Sequence, residues 1–189
     1  MKDTRAFITN TAIELFKKKG YTNTSVTDIC KACNITKGTF YYHFPNKDEL
    51  TYEFYESIFQ EFYTVLAELI TIPSAKDQLW KVYEFTIDRT IALTPEVLYA
   101  LLLSDIQKGL SFFSPYMDME LDTSGSRNLK LQVELVRKGQ SEGSIKPGDP
   151  ETMVRTFVAA LIGIAIAWSS NGGPFDEKEE LHKAFEVIF

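Results

Sequence analysis

The chain has 189 residues, enough for one medium domain or a small domain joined to a larger one. Hydrophobic residues make up 44% of it, which excludes an intrinsically disordered chain, and two cysteines, Cys30 and Cys33, supply no disulfide framework. The net charge of −6 argues against a nucleic-acid binder if averaged over the whole chain, but the charge is unevenly placed. Residues 1–50 hold eight Lys/Arg against five acids, a balance of +3 that leaves −9 for the remainder. A slightly basic head on an acidic body points to a head that touches phosphates. The longest clean apolar run, Val158 to Trp168, falls short of the roughly 20 residues that a membrane helix needs. The first residues, with Lys2, Asp3 and Arg5, carry no apolar signal-peptide core. The expectation is a cytoplasmic protein with no membrane role.

Apolar residues recur three and four apart throughout, which predicts an all-α fold of about nine helices. In the first helix Ile8, Ala12, Leu15 and Phe16 share a face, and Gly20 follows Lys17-Lys18-Lys19 as a stop. Thr24 or Ser25 caps a short second helix, with Asp28 placed to answer Ser25; Cys33-Asn34 ends it, Asn tolerating the left-handed backbone of a tight turn. A third helix starts near Thr36 and ends at Phe44-Pro45, because proline disfavours helix in the residue before it. Asn46, answered by Glu49, opens a long fourth helix with Leu50, Phe54, Ile58, Phe62, Leu66 and Leu69 as its stripe.

Ser74 with Asp77 opens a fifth helix, and Thr94-Pro95-Glu96 a sixth that runs to about Ile106. Residues 109–125 give no clear signal. A seventh helix spans about Ser126 to Gly139, Asp149-Pro150-Glu151 opens an eighth, and Asp176 with Glu179 a ninth.

Three short helices with a tight turn between the second and third make a helix-turn-helix pattern. In the third, Phe40 and Phe44 are four apart and fill the core beneath. Lys37, Thr39, Tyr41, Tyr42 and His43 are left facing outward, a mixture of cation, hydroxyl, phenol and imidazole suited to base edges and phosphate oxygens. Two outward aromatics beside Lys and His on so short a helix are unusual for a plain solvated face. No metal-ligand cluster, nucleophile–base pair or Gly-rich phosphate loop is visible, so no enzyme activity, metal or cofactor is expected. Cys30-x-x-Cys33 lacks the company a zinc site needs, and two small apolar residues in a tight core is its plainer account, with a thiol switch as the alternative.

The stretch Gly20-Tyr21-Thr22-Asn23-Thr24-Ser25-Val26-Thr27-Asp28-Ile29, followed by Ile35 through Leu50 (ITKGTFYYHFPNKDEL), resembles the signature of the tetracycline-repressor (TetR) family. The resemblance is specific over about residues 5–50 and architectural beyond. It implies a DNA-binding domain over 1–47 and a ligand-binding and dimerisation domain over 48–189. The third helix would enter the major groove, with Lys37, Gly38, Thr39 and Tyr41 at or beside base edges and Thr27 reaching one from the second helix. Ser25, Tyr42, His43 and Lys47 would hold phosphates, with Thr36 as a further DNA contact. The implied function is a ligand-responsive regulator, by family default a repressor, that binds a palindromic double-stranded DNA operator as a homodimer and is released by a small-molecule inducer. Control by a protein partner or by thiol oxidation is the alternative.

Aromatic residues cluster at the start of the body, and Phe54, Tyr55, Phe62, Trp80 and Tyr83 are the candidate lining of an inducer pocket, with packed core as the plainer account of each one singly. Ala159, Gly163 and Ala167, four apart on the eighth helix, permit close helix approach, either as a buried helix within one subunit or across a two-fold axis; the family resemblance favours the second, with Phe185 on the ninth helix, as the candidate dimer interface.

Overall fold

The computed structural model describes residues 4–50, 53, 54, 57, 58, 61, 66, 68–107 and 124–189. Local capping chemistry sets where its helices begin. Helix α1 (Thr4–Lys19) stops at Gly20, whose φ of 80° is left-handed and whose N–H donates to Phe16 O at 2.8 Å. Helix α2 (Val26–Cys33) opens on a complete capping box between Ser25 and Asp28, and Asn34 closes it at φ 54°. Helix α3 (Lys37–His43) starts where Thr36 Oγ1 accepts the Thr39 N–H at 3.0 Å. Asn46 accepts the Glu49 N–H at 3.0 Å, and the described residues from 49 to 69 are helical, as the long fourth helix requires.

The body contributes α4 (Ala75–Ile91), α5 (Pro95–Gln107), α6 (Ser124–Glu142), α7 (Pro150–Ser170) and α8 (Glu177–Ile188). Ser74, Asp149 and Asp176 cap α4, α7 and α8, each accepting a backbone N–H three residues on. Among the described residues the fold is all-helical, with α4 against α6 and α8, and α7 against α5, α6 and α8.

Two elements depart from expectation. Helix α6 runs past the expected stop at Gly139 to Glu142, and the left-handed residue is Gly143, at φ 75°. Gly139 serves packing instead: a Cβ there would lie 2.5 Å from Ile145 Cδ1, so the Ile145 side chain crosses the helix where a side chain is missing. Helix α7, 21 residues long with an 18-residue stretch of mean hydropathy 1.6, is long and apolar enough to cross a membrane, which the Val158–Trp168 run alone did not suggest. It buries Met153, Val154, Phe157, Val158, Ala165 and Trp168 among its neighbours, as the core helix of a helical body does.

The apolar core has two parts. One joins α4, α6, α7 and α8 through Leu79, Val82, Tyr83, Leu129, Val136, Phe157, Leu181 and Phe185. The other begins in the head with Ile8, Phe16, Ile29, Phe40 and Phe44 and continues without a break into Leu93, Val97, Leu98, Leu101 and Leu102, then Ala165 and Trp168. The head therefore shares its core with α5 and the end of α7.

Candidate DNA-reading surface

Phe40 and Phe44 are fully buried, their ring centroids 5.7 Å apart, and fasten α3 to the head core. This fixes which side of a two-turn helix faces out. Lys37 and Gly38 are exposed, as is the N-cap Thr36; Tyr41 is 52% exposed and Tyr42 85%, while Thr39 and His43 are half-buried. Tyr42 stands edge-on to the His43 ring at 5.1 Å. An exposed tyrosine of this degree gives up apolar burial, so its place on the rim of a basic head is informative. A Cβ at Gly38 would meet only Thr36 Oγ1, at 3.6 Å, so nothing inside the protein requires glycine there.

Thr27, on α2, is half-buried. Two predicted phosphate contacts have internal duties. Ser25 Oγ donates to Asp28 Oδ2 at 2.5 Å and the Ser25 N–H donates to the same oxygen at 3.0 Å, and these bonds, with Lys19 at 3.6 Å, hold the Asp28 carboxyl below its ordinary pKa; Ser25 Oγ also accepts the Asp28 N–H. Lys47 Nζ donates to Tyr21 O at 2.8 Å and Thr24 O at 3.2 Å and sits 4.0 Å over the Tyr21 ring. Burial lowers the Lys47 ammonium from its usual value. It still has a third N–H, but its first task is to close the turn before α2. The Tyr21 hydroxyl in turn bonds Asp48.

Both thiols are buried, and burial raises their pKa; Cys30 Sγ lies 3.7 Å from Thr36 O. Few thiolates form in such a setting, which suits core packing better than redox sensing.

Sequence reasoning missed Arg5. Its Nη1 donates to His43 O at 2.9 Å, while Nε and Nη2 reach Glu53 Oε2 at 3.0 and 2.5 Å. Its guanidinium lies 4.7 Å from the Phe44 ring centre. The partners are 38 and 48 residues away, and no local pattern announces such a bond.

Of the candidate pocket residues, Phe54 is half-buried and touches both core clusters. Tyr83 is 3% exposed, and its hydroxyl donates to Gln132 Oε1 at 2.8 Å, while Gln132 Nε2 donates to Asn128 Oδ1 at 2.6 Å. Trp80 packs edge-on to His182 at 4.5 Å and lines a shallow cleft of about 310 Å³ with Asp176, Lys178, Glu179 and His182. Tyr55 and Phe62 lie outside the described residues. Of the three described, only Trp80 lines this cleft.

Ala159, Gly163 and Ala167 are exposed on one face of α7, in line with Thr152, Thr156 and Ser170. Phe185 does not join them. It is 1% exposed, packed against Trp80, Tyr83, Phe157 and Phe189, because its face of α8 looks into the body.

Residues 8–53 match the family profile described as bacterial regulatory proteins, tetR family. This match covers the head of the chain, and the tetR likeness is shown for that part. The transcriptional repressor KstR2 of Mycolicibacterium smegmatis is 23% identical over 172 residues, which cover 89% of this chain and 80% of that protein. The HTH-type regulator YuxN of Bacillus subtilis is 50% identical over 50 residues, 26% of this chain and only 17% of YuxN's length, so that likeness is confined to the tetR head. Solved structures of similar fold cover nearly the whole chain. A regulator from Saccharomonospora viridis in complex with choline is 21% identical with a TM-score of 0.68, over 100% of this chain and 96% of that one. FadR of Bacillus subtilis in complex with stearoyl-CoA is 20% identical with a TM-score of 0.58, over 96% and 95%. At such identities these two establish the fold.

Proposed function

We propose that this chain is a ligand-responsive transcriptional repressor that binds a palindromic operator as a homodimer and is released by a small-molecule inducer. The outward row of α3 carries the reading: Thr36, Lys37, Gly38, Tyr41 and Tyr42 are exposed on a helix held from behind by two buried phenylalanines. Lys37, Gly38, Thr39 and Tyr41 address base edges, with Thr27 beside them; Thr36, Tyr42 and His43 address phosphates, joined by Ser25 and Lys47 where their internal bonds yield. Residues 1–47 act as the head and 48–189 as the signal-receiving, dimerising body.

Helix α7 supports the dimer. Its exposed face carries only Thr152, Thr156, Ala159, Gly163, Ala167 and Ser170, and a Cβ at Gly163 would meet nothing within 4 Å. A second copy can lay the same face against it about a two-fold axis at close helix spacing. The shared core supports the response. A ligand that displaces α5 or the long helix after Asn46 disturbs Leu93, Val97 and Leu101, which pack with Phe16 and Phe40 of the head. Relatives of this fold bind stearoyl-CoA and choline, which favours a small-molecule signal of amphipathic or cationic character here.

Footprinting on DNA flanking the gene tests this reading. Two protected half-sites about 34–36 Å apart, lost on addition of an acyl-CoA or a small quaternary amine, are expected. A single half-site, or protection indifferent to sequence, would contradict it.

A further inference from the structure

The Arg5 contacts form a junction that DNA reading by α3 does not itself require. One guanidinium meets three elements: it belongs to the first turn of α1, bonds the last carbonyl of α3, and grips Glu53 on the stretch that leads from head to body. The last carbonyls of a helix have no partner within it, and a cation there is favoured by the helix dipole. Phe44, the C-cap of α3, donates its N–H to Phe40 O at 2.8 Å and lies under the same guanidinium. Arg5 thus holds both the end of α3 and the residue that anchors it.

Glu53 decides how the guanidinium is oriented. Two N–H groups converge on one carboxylate oxygen, a geometry that a planar fork provides and an ammonium does not. The Arg5 and Glu53 side chains are 43% and 23% exposed, and pairs of that exposure add little to folding stability. The same pair fixes the attitude of a two-turn helix on which base contacts depend. A displacement of Glu53 is passed through Arg5 to His43, next to Tyr42 and Tyr41.

We propose that Arg5 is a positioning residue, held by Glu53, that sets how sharply α3 discriminates its operator and links that discrimination to the helix leading into the body. The inference rests on the reading of α3 as the DNA-reading helix. The Arg5 guanidinium is engaged by the His43 carbonyl and by Glu53, so its action is on the helix.

The test compares affinities for an operator duplex and a scrambled duplex of equal length, using the full chain as wild type, Arg5→Lys, Glu53→Gln and the double variant. Removing an acid from a DNA-binding head tightens binding by charge alone. The proposal requires the opposite: Glu53→Gln and Arg5→Lys each lose about tenfold in the ratio of operator to scrambled affinity, and the double variant loses no more than either. Amide exchange of residues 40–44 in the free protein quickens in both single variants while their melting temperatures stay near the wild type. Unchanged ratios in a selective protein, additive losses, or a fall in melting temperature with the ratio intact would overturn the positioning role alone. A wild type with no preference between the duplexes would overturn the functional reading and this inference with it.

Discussion

In the head, short helices expose polar and aromatic side chains in a row and bury a few phenylalanines. In the body, α7 is apolar over most of its 21 residues yet leaves a stripe of small residues bare. The first surface suits an irregular, hydrated, charged partner and the second a close copy of itself. Their acids differ as well. Asp28 in the head is stabilised as a carboxylate by Ser25, whereas Glu177 in the body is 3% exposed, has Oε2 without a partner, and is raised by burial to about 7. The head uses its polar groups for local caps and an outward face, while the body tolerates a desolvated acid at the start of α8.

The comparison breaks most visibly at α7. Gly163→Arg has open space within the subunit, so the chain should fold normally yet sediment as a monomer. Its operator affinity should fall by about a hundredfold or more, because two linked heads become one. A dimer that survives this change would mean that the small-residue stripe has another purpose.

Next in size is the pH response. The Glu177 carboxyl has a folded pKa near 7 against an ordinary 4.5, so ionising it opposes folding. No penalty exists well below pH 4.5; it grows as pH rises through the interval and is complete above about 7. Glu177→Gln should therefore abolish a loss of about 2–3 kcal/mol that the wild type suffers between pH 5 and pH 8, measured by denaturant unfolding. Asp28 has the opposite sign: its lowered pKa gives the head a contribution that is present above its ordinary pKa of 3.8 and lost as acid protonates it. A Glu177→Gln variant with the pH profile of the wild type would remove that contrast.

Gly38→Ala separates folding from reading. A Cβ fits in the free protein, and alanine favours helix, so stability should rise by up to about 1 kcal/mol. Operator binding should weaken about tenfold through lost clearance against the duplex. If both rise together, α3 does not approach DNA at this residue. The smallest effect is expected from peroxide, which should leave operator binding unchanged because Cys30 and Cys33 are buried and protonated.

What could be read from the chain alone was what is decided within about four residues. Ser25–Asp28, Thr36–Thr39, Asn46–Glu49, Asp149–Thr152 and Asp176–Glu179 are bonds from a side chain to the backbone three positions on, and each marks its helix start in the sequence. Gly139 was misleading because its role depends on Ile145 folding back over it. Phe185 shares a helical face with Leu181, but periodicity names the residues on a face and not what covers them. Lys47 looked like a spare cation until the fold brought the Tyr21 and Thr24 carbonyls to it. The candidate reading surface was legible because it is one short helix, whereas a pocket is assembled from several.

The most direct test of the central claim is selection from a random DNA pool by the purified chain, with the double variant Lys37→Ala/Tyr42→Ala in parallel. The account predicts that the wild type enriches an inverted repeat and the variant does not. Enrichment of nothing, with weak salt-sensitive binding common to both proteins, would contradict it.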